Sequence, residues 1–188
     1  MVAQDALVAL ELDQLLIVPA AVQPLKHHHN TSAAHRLHMV ERCFGGVEGM
    51  AVDPIEIERG GLSFMVDTVE TLHARWPEAT LFLLVGEDVV GTLPQWRDPE
   101  RLQSMVTVVV LRREDVPGAV TINVPGASRF PVQHLATRRV AVSSTEVRDR
   151  VRAGRSIRGF VTDAVAAYIV STGLYLRDPM AEDVSERS

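Results

Sequence analysis

The 188 residues, 46% hydrophobic and 23% charged, suffice for one domain with a sizeable core, and a net charge of −5 excludes a mainly nucleic-acid-binding role, which calls for a basic stripe. A single cysteine, Cys43, has no partner for an internal disulfide and lies in an apolar helical pattern, which suits a buried thiol in a reducing cytoplasm. No apolar run reaches the roughly 20 residues needed to cross a bilayer, and the first residues lack a signal peptide's basic flank, so the expectation is a soluble cytoplasmic protein with no membrane partner.

In chain order, residues 2–12 have the apolar spacing of a helix that feeds directly into a strand at 15–18, ending at Pro19. A helix is predicted at 33–44, then weaker strands at 50–52 and 55–57, and a helix at 66–76. The run at 81–85 ends at Gly86, a short helix covers 99–105, and a third apolar strand runs over 106–111. The Gly- and Pro-rich stretch 117–131 reads as a surface loop, followed by a weak strand at 139–142 and helices at 144–153 and 162–171. Gly154 and Gly173 stand where helix C-caps belong. Residues 177–188 are polar and aperiodic, a frayed tail behind one domain at 1–176.

Strands alternating with helices predict an α/β fold, a Rossmann-like doubly wound parallel sheet whose near-continuous apolar strands are buried on both faces. Such folds place the first strand centrally, and this chain opens on a helix. The expectation is therefore a sheet lacking its first, central strand.

Four stretches carry the chemistry. In Val142-Ser143-Ser144-Thr145-Glu146-Val147-Arg148, hydroxyls begin a helix and an arginine follows one turn in, which is either anion-binding geometry or an ordinary capping box between Ser143 and Glu146. Gly86-Glu87-Asp88 ends a buried strand where open sheets hold ligands, and the nearby Trp96-Arg97 either offers an indole for stacking or closes the core. Asp67 and Thr68 either bond a substrate or cap their helix, and Lys26, in the loop after Pro19, either contacts phosphates or is solvated. His27, His28 and His29 and the His35/His38 pair have spacings that can share an ion. No cysteine or carboxylate completes the set, so no metal site is predicted.

In this order and spacing the four stretches resemble the bacterial nicotinate-nucleotide adenylyltransferase family of the nucleotidyltransferase superfamily. The family's patterns are a V-P-A strand end with a P-P-H-K-like loop, S-Y-T-x-D-T, G-x-D with a downstream W, I-S-S-T-x-I-R and A-x-Y-I-x-x-x-G-L-Y. The last stands here as Ala167-Tyr168-Ile169-Val170-Ser171-Thr172-Gly173-Leu174-Tyr175. The resemblance implies transfer of AMP from ATP, with Mg²⁺, to nicotinate mononucleotide, giving deamido-NAD and pyrophosphate. It implies ATP binding by Ser143, Ser144, Thr145 and Arg148, and mononucleotide binding by Asp67, Thr68, Gly86, Asp88, Trp96 and Arg97, with Lys26 near the phosphates.

Family members begin with a strand and a G-x-F-D-P-x-H-x-G-H loop, and no H-x-G-H sequence occurs among the seven histidines here. Leu25 replaces the loop histidine, and Phe64-Met65 replace Tyr-Thr. The expectation is a shortened chain of weak activity and poor solubility. The alternatives are an enzyme with another acceptor, nicotinamide mononucleotide or phosphopantetheine, and a non-catalytic nucleotide-binding remnant.

Overall fold

The computed structural model describes residues 1–24, 31–114, 120–123, 132–138 and 140–176. Lys26, His27, His28 and His29 and the 177–188 tail lie outside the described residues. The elements run α1 (Val2–Ala9), β1 (Leu15–Ile17), α2 (Ala33–Phe44), β2 (Met50–Val52), α3 (Ile55–Arg59), α4 (Met65–Arg75), β3 (Phe82–Gly86) and α5 (Glu87–Val90). A 3₁₀ turn (Leu93–Gln95) follows, then α6 (Pro99–Met105), β4 (Thr107–Glu114), β5 (Val120–Asn123), β6 (Val132–Arg138), α7 (Ser144–Arg152) and α8 (Asp163–Thr172).

The strands form two sheets. β1 pairs in parallel with β2, Leu15 opposite Met50, and the larger sheet has the order β3-β4-β6-β5. In it β3-β4 and β4-β6 are parallel and only β5-β6 is antiparallel. A parallel α/β architecture of Rossmann-like type is thus what the alternation of elements produces. Among the described residues no strand joins β1 to β3, so each keeps one edge without a strand neighbour.

That break corrects the expectation of full burial. Val108, Val109 and Val110 of β4, flanked on both sides, are at most 2% exposed, whereas Phe82, Leu83 and Leu84 of β3 are only half-buried. An edge strand has fewer neighbours to cover its faces.

Three further expectations change. Residues 55–57 are helical rather than extended, because Asp53 accepts the Ile55 N–H (3.0 Å) and Pro54, which cannot donate, opens the turn. Within the expected loop at 117–131, Val120–Asn123 form β5, whose β-branched residues pair with β6. The late strand is Val132–Arg138, not 139–142; its buried Val132 and Leu135 enter two different apolar clusters.

Two apolar centres cover the larger sheet. On one side α1 places Ala6 against Leu15, Val109 and Leu135, and Asp5 holds the end of β6 through Arg138 Nε (3.0 Å). On the other, Val85, Leu93, Val108, Val110 and Val132 cluster with Trp96. A third centre joins α7 and α8 through Val147, Ile157, Val165 and Ile169, with Met39 and Cys43 of α2 packed against it. Burial pushes the Cys43 thiol pKa up, which keeps it protonated and unreactive. Gly173 ends α8 in the left-handed conformation (φ 65°), as a C-cap glycine does.

Leu135 has no exposed surface and touches the centre shared by α1 and the strands. Leu135→Ala is expected to cost about 2–5 kcal/mol, read from urea unfolding. A midpoint equal to the parent's would show that this centre does not hold α1 to the sheet.

Candidate functional site

Parallel pairing brings the ends of β3, β4 and β6 to one side of the sheet, with Gly86 opposite Leu111 and Arg112 opposite Ala136. The chain leaving β3 carries Gly86, Asp88, Trp96 and Arg97, and the chain leaving β6 carries Ser143, Ser144, Thr145 and Arg148. This is the crevice where open α/β sheets bind ligands.

At the end of β3, Gly86 gives way to α5, and Asp88 folds back over it. A Cβ added at Gly86 would lie 2.5 Å from Asp88 Oδ1. The absence of a side chain at Gly86 lets the exposed Asp88 carboxylate rest against the strand end, and a Cβ there would displace it. Glu87, next to it, pairs with Arg112 Nε at the end of β4 (3.1 Å).

Trp96 joins two of its sequence readings. Its ring packs on the cluster around Val85 and Leu93, and its indole N–H donates to Thr92 Oγ1 (3.1 Å), yet the residue stays only half-buried. It closes the core and still presents aromatic surface at the strand end. Arg97 then reaches across to α4, pairing with Asp67 (3.6 Å) and lying 4.8 Å over the Phe64 ring. Asp67, Phe64, Trp96, Arg97 and Asp88 thus edge one face of the crevice.

Thr68 does not belong with them. It is 1% exposed; its hydroxyl donates to Glu56 Oε1 (2.7 Å) and accepts from Arg59 Nη2 (3.0 Å). With both bonds turned inward, the hydroxyl holds α4 to α3 rather than facing a substrate. Sequence reasoning missed Glu56 and Arg59, although the two stand three residues apart, the spacing of one helical turn.

The second half of the crevice is the start of α7. Ser143 is the N-cap, its Oγ accepting the Glu146 N–H (3.1 Å), so the capping reading holds. Ser144 and Thr145 are exposed beyond it, and Arg148 donates to Thr145 Oγ1 (3.1 Å). A cleft of about 380 Å³, lined by Ser143, Thr145, Glu146, Asp149, Arg150 and Arg155, opens beside them. The hydroxyls, the guanidinium and the positive end of a nine-residue helix are groups that converge on phosphate oxygens.

Elsewhere, His35 Nδ1 lies 2.8 Å from Tyr168 Oη and His38 Nδ1 3.2 Å from Glu41. The first contact ties α2 to α8, and the second lies within α2. Among the described residues no group of three or more His, Cys, Asp or Glu side chains gathers.

Thr68→Val keeps the shape and removes the hydroxyl between Glu56 and Arg59. Leaving a buried carboxylate without its donor costs about 1–3 kcal/mol. Urea unfolding measures the loss, and an unchanged midpoint would show that the contact contributes nothing.

Residues 1–150 match the cytidylyltransferase-like family. A probable nicotinate-nucleotide adenylyltransferase from Gemmatimonas aurantiaca is 62% identical over 190 residues, spanning all of this chain and 90% of the relative. Its counterpart from Herpetosiphon aurantiacus is 36% identical, covering 93% of this chain and 89% of its own. Among solved structures, the nicotinic acid mononucleotide adenylyltransferase of Plasmodium falciparum, complexed with NaAD, superposes with a TM-score of 0.66 over 92% of this chain and 90% of that one. At 16% identity it supports the fold alone. A parallel α/β sheet with these residues at its strand ends, together with relatives this similar along their whole length, places the chain in the nicotinate-nucleotide adenylyltransferase family.

Proposed function

We propose that the chain transfers the AMP moiety of ATP to nicotinate mononucleotide, forming deamido-NAD and pyrophosphate. The observation that carries the reading is the presence of two unlike sets of residues beyond the ends of β3 and β6. The start of α7 offers hydroxyls, Arg148 and a helix N-terminus, suited to a polyphosphate. The other half offers a half-buried indole, a carboxylate at a strand end and the Asp67–Arg97 pair, suited to an aromatic ring with a ribose.

The chemistry needs no covalent intermediate. A phosphate oxygen of the mononucleotide attacks the α-phosphorus of ATP, the new P–O bond forms, and the bond to pyrophosphate breaks. The protein's part is to align the two phosphates and to stabilise charge on the transferring group. Ser144, Thr145 and Arg148 hold the ATP phosphates, with Ser143 fixing the turn that presents them. Mg²⁺ travels with the triphosphate as part of the substrate, held largely by phosphate oxygens. Trp96 stacks on the pyridine ring, Asp88 takes the ribose or ring substituent, and Asp67 with Arg97 lines the same side. Lys26 is assigned to the phosphates on the resemblance alone.

Pyrophosphate release from ATP, measured with nicotinate mononucleotide, nicotinamide mononucleotide and phosphopantetheine in turn, tests the reading. Turnover highest with the nicotinate acceptor supports it. Preference for another acceptor replaces it with the related transferase, and ATP binding without pyrophosphate leaves a binding protein.

Two substitutions separate the halves. Arg148→Met is expected to raise the KM for ATP about 10- to 100-fold, the equivalent of the roughly 1.5–3 kcal/mol in a charged hydrogen bond, with the acceptor KM little changed. Gly86→Ala displaces Asp88 and is expected to raise the acceptor KM instead. Equal effects on both substrates from either variant would count against the assignment.

A further inference from the structure

Beyond Ile17, whose carbonyl accepts the Asp53 N–H (3.1 Å), the chain leaves its ladder with β2 and crosses residues 19–22 without a strand partner of its own. Backbone groups of the half-buried Ala20 and Ala21 need other partners. Arg36, on α2, supplies two of them. Its Nη1 donates to the Ala20 carbonyl and its Nη2 to the Ala21 carbonyl (2.7 Å), so a single planar fork spans two successive peptides.

The other side of the same loop is held by Ser63. The Ala21 N–H donates to Ser63 Oγ (2.8 Å), the Ser63 N–H donates back to the Val22 carbonyl (2.8 Å), and Val22 bridges Leu62 in parallel. Ser63 stands at the entrance to α4, whose first turn carries Asp67, and Asp67 reaches Arg97 beside Trp96. A continuous chain of contacts thus runs from Arg36 through the loop after β1 to the acceptor half of the crevice. It does not touch Ser144, Thr145 or Arg148.

We infer that Arg36 is a positioning residue for the acceptor nucleotide, its guanidinium fork clamping the loop after β1 against the turn that aims Asp67 and Arg97. The inference rests on the reading of that half as the acceptor side. Burial lowers the pKa of the Arg36 guanidinium from its ordinary value, with Tyr175 nearby acting in the opposite sense. Arginine nonetheless stays charged at neutral pH, so the two bonds are charge-assisted. A lysine, with one point-like ammonium, satisfies one carbonyl at a time.

The test uses Arg36→Met, which keeps the apolar stem, and Arg36→Lys, which keeps the charge. Calorimetric titration gives separate dissociation constants for nicotinate mononucleotide and ATP, and amide hydrogen exchange reports on Ala21 and Ser63. The expected result for Arg36→Met is an acceptor Kd about tenfold weaker, an ATP Kd within about twofold of the parent, and faster exchange at both amides. Arg36→Lys is expected to recover part of each change. A merely structural role would weaken both ligands alike or neither, and either result overturns the proposal, as does unchanged exchange at Ala21 and Ser63. A parent chain that binds no nicotinate mononucleotide overturns the functional reading and this role with it. A parent that binds it as tightly as Arg36→Met does overturns this role alone.

Discussion

The arrangement depends on the burial of one strand. β4 pairs in parallel on both sides, and its Val108, Val109 and Val110 meet apolar layers above and below. Because all three neighbours point the same way, their ends, and the loops leaving them, emerge together. A one-residue slip of β4 would turn Val109 from the α1 layer to the Trp96 layer, so register is set by the core and not by the loops. The crevice inherits its geometry from that register. Each of its halves is then adjusted locally, by a capped helix on one side and by a glycine that admits a carboxylate on the other.

The elements most legible in sequence were those whose local and tertiary demands agree. α2 and α6 have the predicted bounds, and α7 starts where Ser143 and Glu146 mark it. Errors fall where a short segment follows its neighbours. Ile55-Glu56-Ile57 alternates like a strand, yet the Asp53 side chain and Pro54 wind it into α3, and β5 lies within a stretch whose glycines and prolines read as a loop. Boundaries elsewhere shift by one to three residues.

The site was legible in its residue types and less so in their directions. Asp88, Trp96 and Arg97 follow the end of β3, Asp67 lies in the first turn of α4 and Ser143 caps α7, because strand termini and helix caps leave clear marks. Thr68 shows what a sequence motif conceals. It is the neighbour of Asp67, but one helical step of about 100° sends its hydroxyl into the protein, where Glu56 and Arg59 take it. Arg36 was invisible for a related reason. Nothing local distinguishes an arginine on an amphipathic helix that faces solvent from one that reaches a loop 15 residues earlier. Its two carbonyl partners are a property of the packed chain.

The placement of the two tryptophans has a practical side. Trp96 is fixed at the crevice by its bond to Thr92, while Trp76 ends α4 with Arg75 5.2 Å over its ring and is 38% exposed. These are the chain's only indoles. Replacing the outer one with phenylalanine leaves a molecule whose near-ultraviolet emission comes from the strand-end aromatic alone. Fluorescence then watches one named ring, packed on the cluster at the end of β3.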